Sequence, residues 1–342
     1  MEQKLSVLGI DIAKQVFHLV GMDAHGTIQL RKRLYRAQLM AFIAQLPPTC
    51  IGMEACGGAH YWARRFREHG HEVRLMAPQF VTPYRKANKN DLRDAEAIAE
   101  AMTRPTMRFV AVKSVDQQDL QALHRVRERL MKARTALINE TRGLLHEYGL
   151  VVPQGAATFR KHALEKLATA EAKANLTPHS LALFQQLLEE LGLLDARVAT
   201  YDAQLAQVAQ THPVCQRLMT IPGLGELTAT ALVAAVSDAA EFKNGRQFAA
   251  WLGLVPRQHS TGGKERLLGI SKRGDSYLRT LLVHGARSCL RWVGRKRDRR
   301  SQWVQALMER RGWNRAAVAL ANKNARVAWV VLSTEQVYQI AA

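Results

Sequence analysis

The sequence predicts a mixed α/β domain followed by an all-α remainder, and three observations carry that reading. Apolar residues in the first hundred positions alternate between period two and a helical period. A heptad pattern then holds through the middle of the chain, and the last third is helical with glycine-bearing breaks.

The elements follow in order. Leu5 to Ile12 (LSVLGIDI) is an apolar β-rich run, and Gln15 to Met22 and Thr27 to Leu34 are further strands. Arg36 to Leu46 is predicted helical, Cys50 to Ala55 a short strand, Ala59 to His69 a helix and Glu72 to Met76 a strand. Asn90 to Met102 is a helix that Asn90 caps. Strands that come first as neighbours and later alternate with helices imply a mixed sheet. Next, Leu123, Leu130, Leu137 and Leu144 recur every seven residues with Val126 and Ala133 between them. After a break at Val151 to Ala156, the positions Phe184, Leu187, Leu191, Leu194, Val198, Tyr201, Leu205 and Val208 repeat in steps of three and four. Two such helices around a connector predict an antiparallel coiled-coil hairpin. From His212 on, the helices are Glu226 to Val236, Asn244 to Leu252, Gly274 to Leu290 and Trp313 to Leu332, with Pro256 to Gly263 a polar loop. The expected domains are residues 1–112, 113–211 and 212–342.

Forty-nine Lys and Arg against 29 Asp and Glu leave a net charge of +20. Such a surplus favours a polyanionic partner, because each neutralised phosphate releases counterions. A merely basic or ribosome-associated protein is the bland alternative. The cysteines Cys50, Cys56, Cys215 and Cys289 show no paired spacing, so they predict buried thiols, with neither a zinc site nor a disulfide framework. No apolar run is long enough to span a membrane and the N-terminus lacks a signal layout, so a soluble cytoplasmic protein is expected.

Four carboxylates attract a chemical reading. Asp11 sits inside the run Val7-Leu8-Gly9-Ile10-Asp11-Ile12, where a carboxylate is costly unless paired or bound to a metal. Glu54 closes the short run Ile51-Gly52-Met53-Glu54. Asp91 and Asp94 lie three apart on a predicted helix and so share a face. Taken singly, each has a structural explanation: a capping Asp, a solvated turn acid, a helix N-terminus that favours negative charge. Lys86, Lys89 and Arg93 are near enough in sequence to pair with them or to meet phosphate. As a set they match two-metal phosphoryl transfer, in which hard oxygens hold two Mg²⁺ ions about 3.5–4 Å apart.

These blocks carry a resemblance. Gly9-Ile10-Asp11-Ile12-Ala13-Lys14, Met53-Glu54-Ala55-Cys56-Gly57 and Asn90-Asp91-Leu92-Arg93-Asp94-Ala95 resemble, in order and spacing, the three acidic blocks of the DEDD-type insertion-sequence transposases (the IS one-ten family and its eleven-eleven branch). The resemblance implies a RuvC-like N-terminal domain of the ribonuclease-H fold, with Asp11, Glu54, Asp91 and Asp94 holding Mg²⁺, or Mn²⁺ in its place. The segment Leu252 to Lys264, continued by Ile270 to Asp275 and Leu278-Arg279, is similar to the family's second signature. It implies a serine nucleophile that links covalently to DNA. Ser260 is the first candidate and Thr261 the second, because Thr261 occupies the place directly before glycine where family members commonly carry the serine. A hydroxyl is a poor nucleophile until a base or metal activates it. An ordinary Ser/Thr turn loop is the alternative.

Arg257, Lys264 and Arg266 flank that loop, and Lys272, Arg273 and Arg279 follow it. A basic run then contains Arg287, Arg291, Arg295, Lys296, Arg297, Arg299 and Arg300 against only Asp298, with Trp292 and Trp303 interleaved. Arginine forks onto phosphate and aromatic faces take unpaired bases. Ile221-Pro222-Gly223-Leu224-Gly225 reads either as a helix–hairpin–helix turn offering amides to a phosphate or as a tight interhelical turn. By resemblance, the chain would be a recombinase acting on double-stranded donor and target DNA, guided by a structured ("bridge") RNA. It would work as a dimer or tetramer with composite active sites, associated with the bacterial nucleoid. Two rivals stand beside this: a RuvC-like structure-specific nuclease using water, and a binding protein with incidental acids.

Overall fold

The computed structural model describes residues 5–86 and 90–339, which fall into two units, Met1–Val115 and Asp116–Ala342. In the first unit β1 (Val7–Ile12), β2 (Val16–Met22) and β3 (Ile28–Tyr35) form an antiparallel meander. Then come α1 (Arg36–Ala44), β4 (Cys50–Glu54), α2 (Ala59–Glu68), β5 (Glu72–Met76), the short α3 (Pro78–Val81), α4 (Asp91–Met102) and β6 (Phe109–Val110). The sheet order is β3-β2-β1-β4-β5-β6, with β1, β4 and β5 parallel and β6 antiparallel to β5. The mixed sheet expected from the sequence is therefore what forms. The α3 turn and β6 are too short to leave a periodic signal.

Alternation along the strands decides what each face of the sheet carries. Leu8, Ile10, Phe17, Leu19 and Met53 are fully buried against Leu39 and Ile43 of α1 and Trp62 and Phe66 of α2. Val7, Val20 and Met22 face the other way, onto Ala95, Ile98 and Met102 of α4. On that second face two glycines let α4 approach closely. A Cβ on Gly9 would stand 2.3 Å from the Ala95 carbonyl oxygen, and one on Gly52 would stand 2.2 Å from the Met102 sulfur. Any side chain at Gly9 would push the helix off the sheet.

The second unit is built on two long helices, α5 (Val115–Glu147) and α8 (Pro178–Thr211), joined through α6 (Phe159–Leu167) and α7 (Ala170–Asn175). Arg127 pairs with Asp202 and Arg134 with Asp195, so the helices run antiparallel with matching seven-residue steps. Leu137, Leu145, Phe184, Leu188 and Leu191 share one buried cluster with Phe159 of α6. Every one of the eight repeat positions from Phe184 to Val208 is buried or half-buried. Leu144 departs from its expected place: it is exposed, and Leu145 is buried instead.

The remaining helices are α9 (Pro213–Met219), α10 (Glu226–Ala235), α11 (Gly245–Trp251), α12 (Ser276–Leu290), α13 (Arg299–Arg311) and α14 (Trp313–Thr334). They enclose a core of small and branched residues, including Leu218, Leu232, Phe248, Leu282 and Leu320. Buried His124 of α5 bonds Thr230 Oγ1 of α10 and the Tyr277 hydroxyl of α12, each at 3.0 Å. The expected polar loop Pro256 to Gly263 is instead the first arm of a hairpin, with β7 (Pro256–Gln258) antiparallel to β8 (Leu267–Ile270). Its exposed polar side chains hid the pairing from a reading based on hydrophobic period. Arg279, expected on nucleic acid, donates to the carbonyls of Leu252 and Arg273 and braces the base of this hairpin.

The Ile221–Gly225 segment forms a tight turn between α9 and α10. Gly223 lies so close to α12 that a Cβ on Gly285 would stand 1.8 Å from its carbonyl oxygen. The Pro222 carbonyl accepts from Arg300 and Asn324, which also takes Arg300 out of the free basic run. All four cysteines are free thiols, but against the expectation of four buried ones only Cys215 is buried, while Cys50 and Cys289 are half-buried and Cys56 is exposed. Among the described residues no helix is long and apolar enough to cross a membrane.

Candidate metal centre and nucleic-acid interface

The acidic cluster follows from the strand alternation. Asp11 is two residues beyond Gly9 and therefore shares the face that α4 covers. Because Gly9 lies under Ala95 and Ala99, Asp11 meets the first turn of α4, where Asp91 and Asp94 sit three apart. One carboxylate oxygen from each of Asp11, Asp91 and Asp94 lies within 4.8 Å of the others. Asn90 fixes the start of that helix by accepting from the Leu92 amide at 3.0 Å.

Glu54 falls outside this 4.8 Å group. It ends β4 one residue past the Ile10–Met53 pair, alongside Asp11, and on the same face as Gly52. Burial, and then the negative charges of Glu54 and Asp11, push the Cys56 thiol above its usual range, so both carboxylates bear on that one sulfur. Two neighbours were not foreseen. His18 pairs in register with Asp11 across β1 and β2, and its Nδ1 lies 3.7 Å from Asp91 Oδ2. Arg85 Nε lies 2.5 Å from Asp94 Oδ1. The β2 alternation could have supplied His18; nothing periodic in the sequence marks Arg85.

Asp94 is only 6% exposed, so its charge demands compensation. Arg85 provides it as an ion pair, but neither Arg85 Nε nor Asp94 Oδ1 forms an aligned hydrogen bond. Three carboxylates whose oxygens lie this close together are a hard-oxygen donor set that fits a divalent cation. Lys86 pairs with Glu96 and Glu100 rather than with the cluster, and Lys89 lies outside the described residues.

Ser260 is exposed near the tip of the β7–β8 hairpin, and its Oγ accepts from Gln258 Nε2 at 2.9 Å. Thr261 bridges to Lys264 across Gly262 and Gly263, both with positive φ, as a tight two-residue turn requires. Arg257, Lys264, Arg266, Lys272 and Arg273 are exposed around the arm. Arg291, Arg295, Lys296 and Arg297 are exposed between α12 and α13, where Arg295 lies over the Trp292 ring at 4.9 Å. Arg287 is exposed as well and donates to Asn314.

Comparison with known proteins identifies the family. A family model described as "Transposase IS116/IS110/IS902 family" matches residues 215–302, and a DEDD transposase model of the IS110 type matches residues 8–150. A "Probable family 20 transposase" of Pseudomonas aeruginosa is 52% identical over 98% of this chain and 99% of its own length. The "Transposase for insertion sequence element IS1111A" of Coxiella burnetii is 50% identical over 99% of this chain and 92% of its own. That of IS1328 from Yersinia enterocolitica is 42% identical over 98% of both. The DEDD match points to divalent-metal use at the acidic cluster. The chain belongs to the IS110 family of insertion-sequence transposases, enzymes that act on DNA.

Proposed function

We propose that the protein cuts and rejoins DNA by transesterification, with Ser260 attacking the phosphodiester and a divalent-metal centre built on Asp11, Glu54, Asp91 and Asp94. The observation that carries this reading is the convergence of Asp11, Asp91 and Asp94 at the end of β1. These carboxylates would hold Mg²⁺, with Mn²⁺ able to replace it, and Glu54 stands alongside as the fourth acid. The bound ion supplies Lewis-acid stabilisation of the charge that builds on the phosphate. Ser260 Oγ gives up its proton as it forms a bond to phosphorus, the P–O bond to the deoxyribose breaks, and the released deoxyribose oxygen takes up a proton to become a hydroxyl. The reverse exchange with another DNA hydroxyl rejoins strands. Gln258 orients the Ser260 hydroxyl, and Thr261 is the second candidate nucleophile.

Arg257, Lys264, Arg266, Lys272 and Arg273 would neutralise phosphates beside the attacked bond, and Arg287, Arg291, Arg295, Lys296 and Arg297 would extend that track. Residues 1–112 act as the RuvC-like domain, 113–211 as a coiled-coil spacer and 212–342 as the serine-bearing domain. A homo-oligomer, dimer or tetramer, would bring acids and serine together. The family resemblance supports guidance by a structured RNA, and the +20 charge is compatible with both nucleic acids. A nucleoid-associated, cytoplasmic location would follow.

A RuvC-like nuclease using water is the second reading. It is favoured by one observation: the side chain bonded to the Ser260 hydroxyl is an amide donor, not a base. Incubating end-labelled element DNA with the protein and Mg²⁺, then separating under denaturing conditions, tests both. A protein–DNA adduct that survives in Thr261→Val and disappears in Ser260→Ala is expected, and Asp94→Asn loses all cleavage. Cleavage with no adduct in the unaltered protein would establish the water reading. Sequencing co-purified nucleic acid tests the guide, since random fragments would count against it.

A further inference from the structure

A groove of about 1470 Å³ lies between the outer face of α14 and strand β8 of the hairpin. It exceeds the roughly 300–1,000 Å³ of small-molecule sites. Its lining includes Arg246, Arg315, Lys323 and Arg326 and not one carboxylate. All four cations are exposed, and none pairs with an acid among the described residues. Asn314 and Asn322 are engaged already, with Arg287 and with the Leu254 carbonyl. The groove's charged lining is thus wholly cationic.

The walls are apolar. Leu267 is 65% exposed and Val330 44%, and Leu268, Ile270 and Val318 lie between them. Trp303 of α13 borders the groove 38% exposed, with Lys323 Nζ 4.6 Å from its ring centre. On α14 the groove-facing residues Arg315, Val318, Asn322, Arg326 and Val330 repeat in steps of three and four, opposite the buried Ala317, Leu320, Ala321 and Ala328. That face is roughly 22 Å long at about 1.5 Å per residue.

We propose that this groove binds an unpaired DNA strand and leads it along the hairpin toward Ser260, an inference that rests on the proposed serine reading for its direction. Cations in a trough with apolar and indole walls match a single strand, whose phosphates and bases are both available. A duplex would present only phosphates and leave the apolar walls against water. The chain's family acts on DNA, so a deoxyribose strand is the occupant proposed.

Fluorescence anisotropy of the full-length chain without divalent ion tests this. The labelled probes are a thymidine DNA strand of about 12 nucleotides, a uridine RNA strand of equal length and a matching DNA duplex. The Arg315→Glu/Arg326→Glu variant should bind the DNA strand at least about tenfold more weakly, with the salt slope reduced by about 0.7 for each lost phosphate contact. Duplex binding should stay within about twofold, because its outer phosphates have the hairpin and the α12–α13 cations to meet. Leu267→Glu, an exposed change on the opposite wall, should reproduce the loss with an unaltered unfolding midpoint. Equal losses for strand and duplex would overturn the proposal, as would RNA binding as tight as DNA. So would a change in oligomeric state in place of strand affinity, which would mark the groove as a contact between copies. Absence of a covalent adduct with strand binding intact would sink the serine reading alone; intact adduct formation with no groove effect would sink this one alone.

Discussion

The two places proposed to carry the chemistry are held in opposite ways. The acids stand on two neighbouring strands and a helix pressed onto them at Gly9 and Gly52, with Ala95, Ile98, Ala99 and Met102 buried around them. Ser260 stands on a two-stranded arm whose residues are almost all exposed and whose turn is Gly262-Gly263. Only the base of that arm is fixed, by Arg279 and by the contact of Gly253 and Gly274 with the backbone of Arg273 and Trp251. Cation binding rewards oxygens whose positions are settled in advance. A group that must reach a phosphate and then hand a strand on gains from lacking such packing. A two-stranded ribbon is marginal by itself, which suits that task.

Substitutions can break or sharpen this contrast. Gly9→Val should cost about 3 kcal/mol or more, because its side chain meets backbone and not a yielding side chain. Calorimetry that finds an unchanged melting temperature would refute the tight seating of α4. In the second unit, the body beneath the arm should prove as firm as the sheet. Burial lowers the His124 pKa from 6.5 to about 4, so the folded protein keeps it neutral while the unfolded chain takes up a proton. Stability should therefore fall as pH drops from 6.5 toward 4, by roughly 3 kcal/mol in all. Denaturant titrations across that range should show the slope in the unaltered protein and not in His124→Gln, which starts less stable at pH 7. Arg85→Gln should cost about 2 kcal/mol by leaving Asp94 unpaired, and Mg²⁺ should restore more stability to it than to the parent. A Mg²⁺ effect of equal size in both would separate Arg85 from the cation's place. The smallest effect belongs to Gly263→Val: about 1–2 kcal/mol of local turn strain with no change in global unfolding, yet slower adduct formation.

Most of the first unit was legible because its strands alternate cleanly and Asn90 marks a helix start. The same alternation implied that Asp11, Gly9 and His18 share a face, but it could not say that α4 covers that face. Arg85 escaped because an ion pair to a residue nine positions on, in a segment of short turns, has no period. The hairpin escaped because neither arm buries a side chain, so polar Pro256-Arg257-Gln258 looks like loop. The cationic groove could not be seen at all: Arg246, Leu267, Trp303 and Arg315 are scattered over seventy positions and meet only in the fold. Leu144 misled for a simpler cause, since a straight helix drifts against a strict seven-residue repeat.

The two arginine–aspartate clasps between α5 and α8 sit one heptad apart on each helix. Sliding one helix by seven residues would keep a single clasp and strand one arginine and one aspartate without partners. The helix pair therefore behaves as a ruler with fixed graduations. Between the clasps its length can change only by matched insertions in both helices that keep each arginine facing its aspartate, and an insertion there in one helix alone must forfeit a clasp or bulge out of the pair.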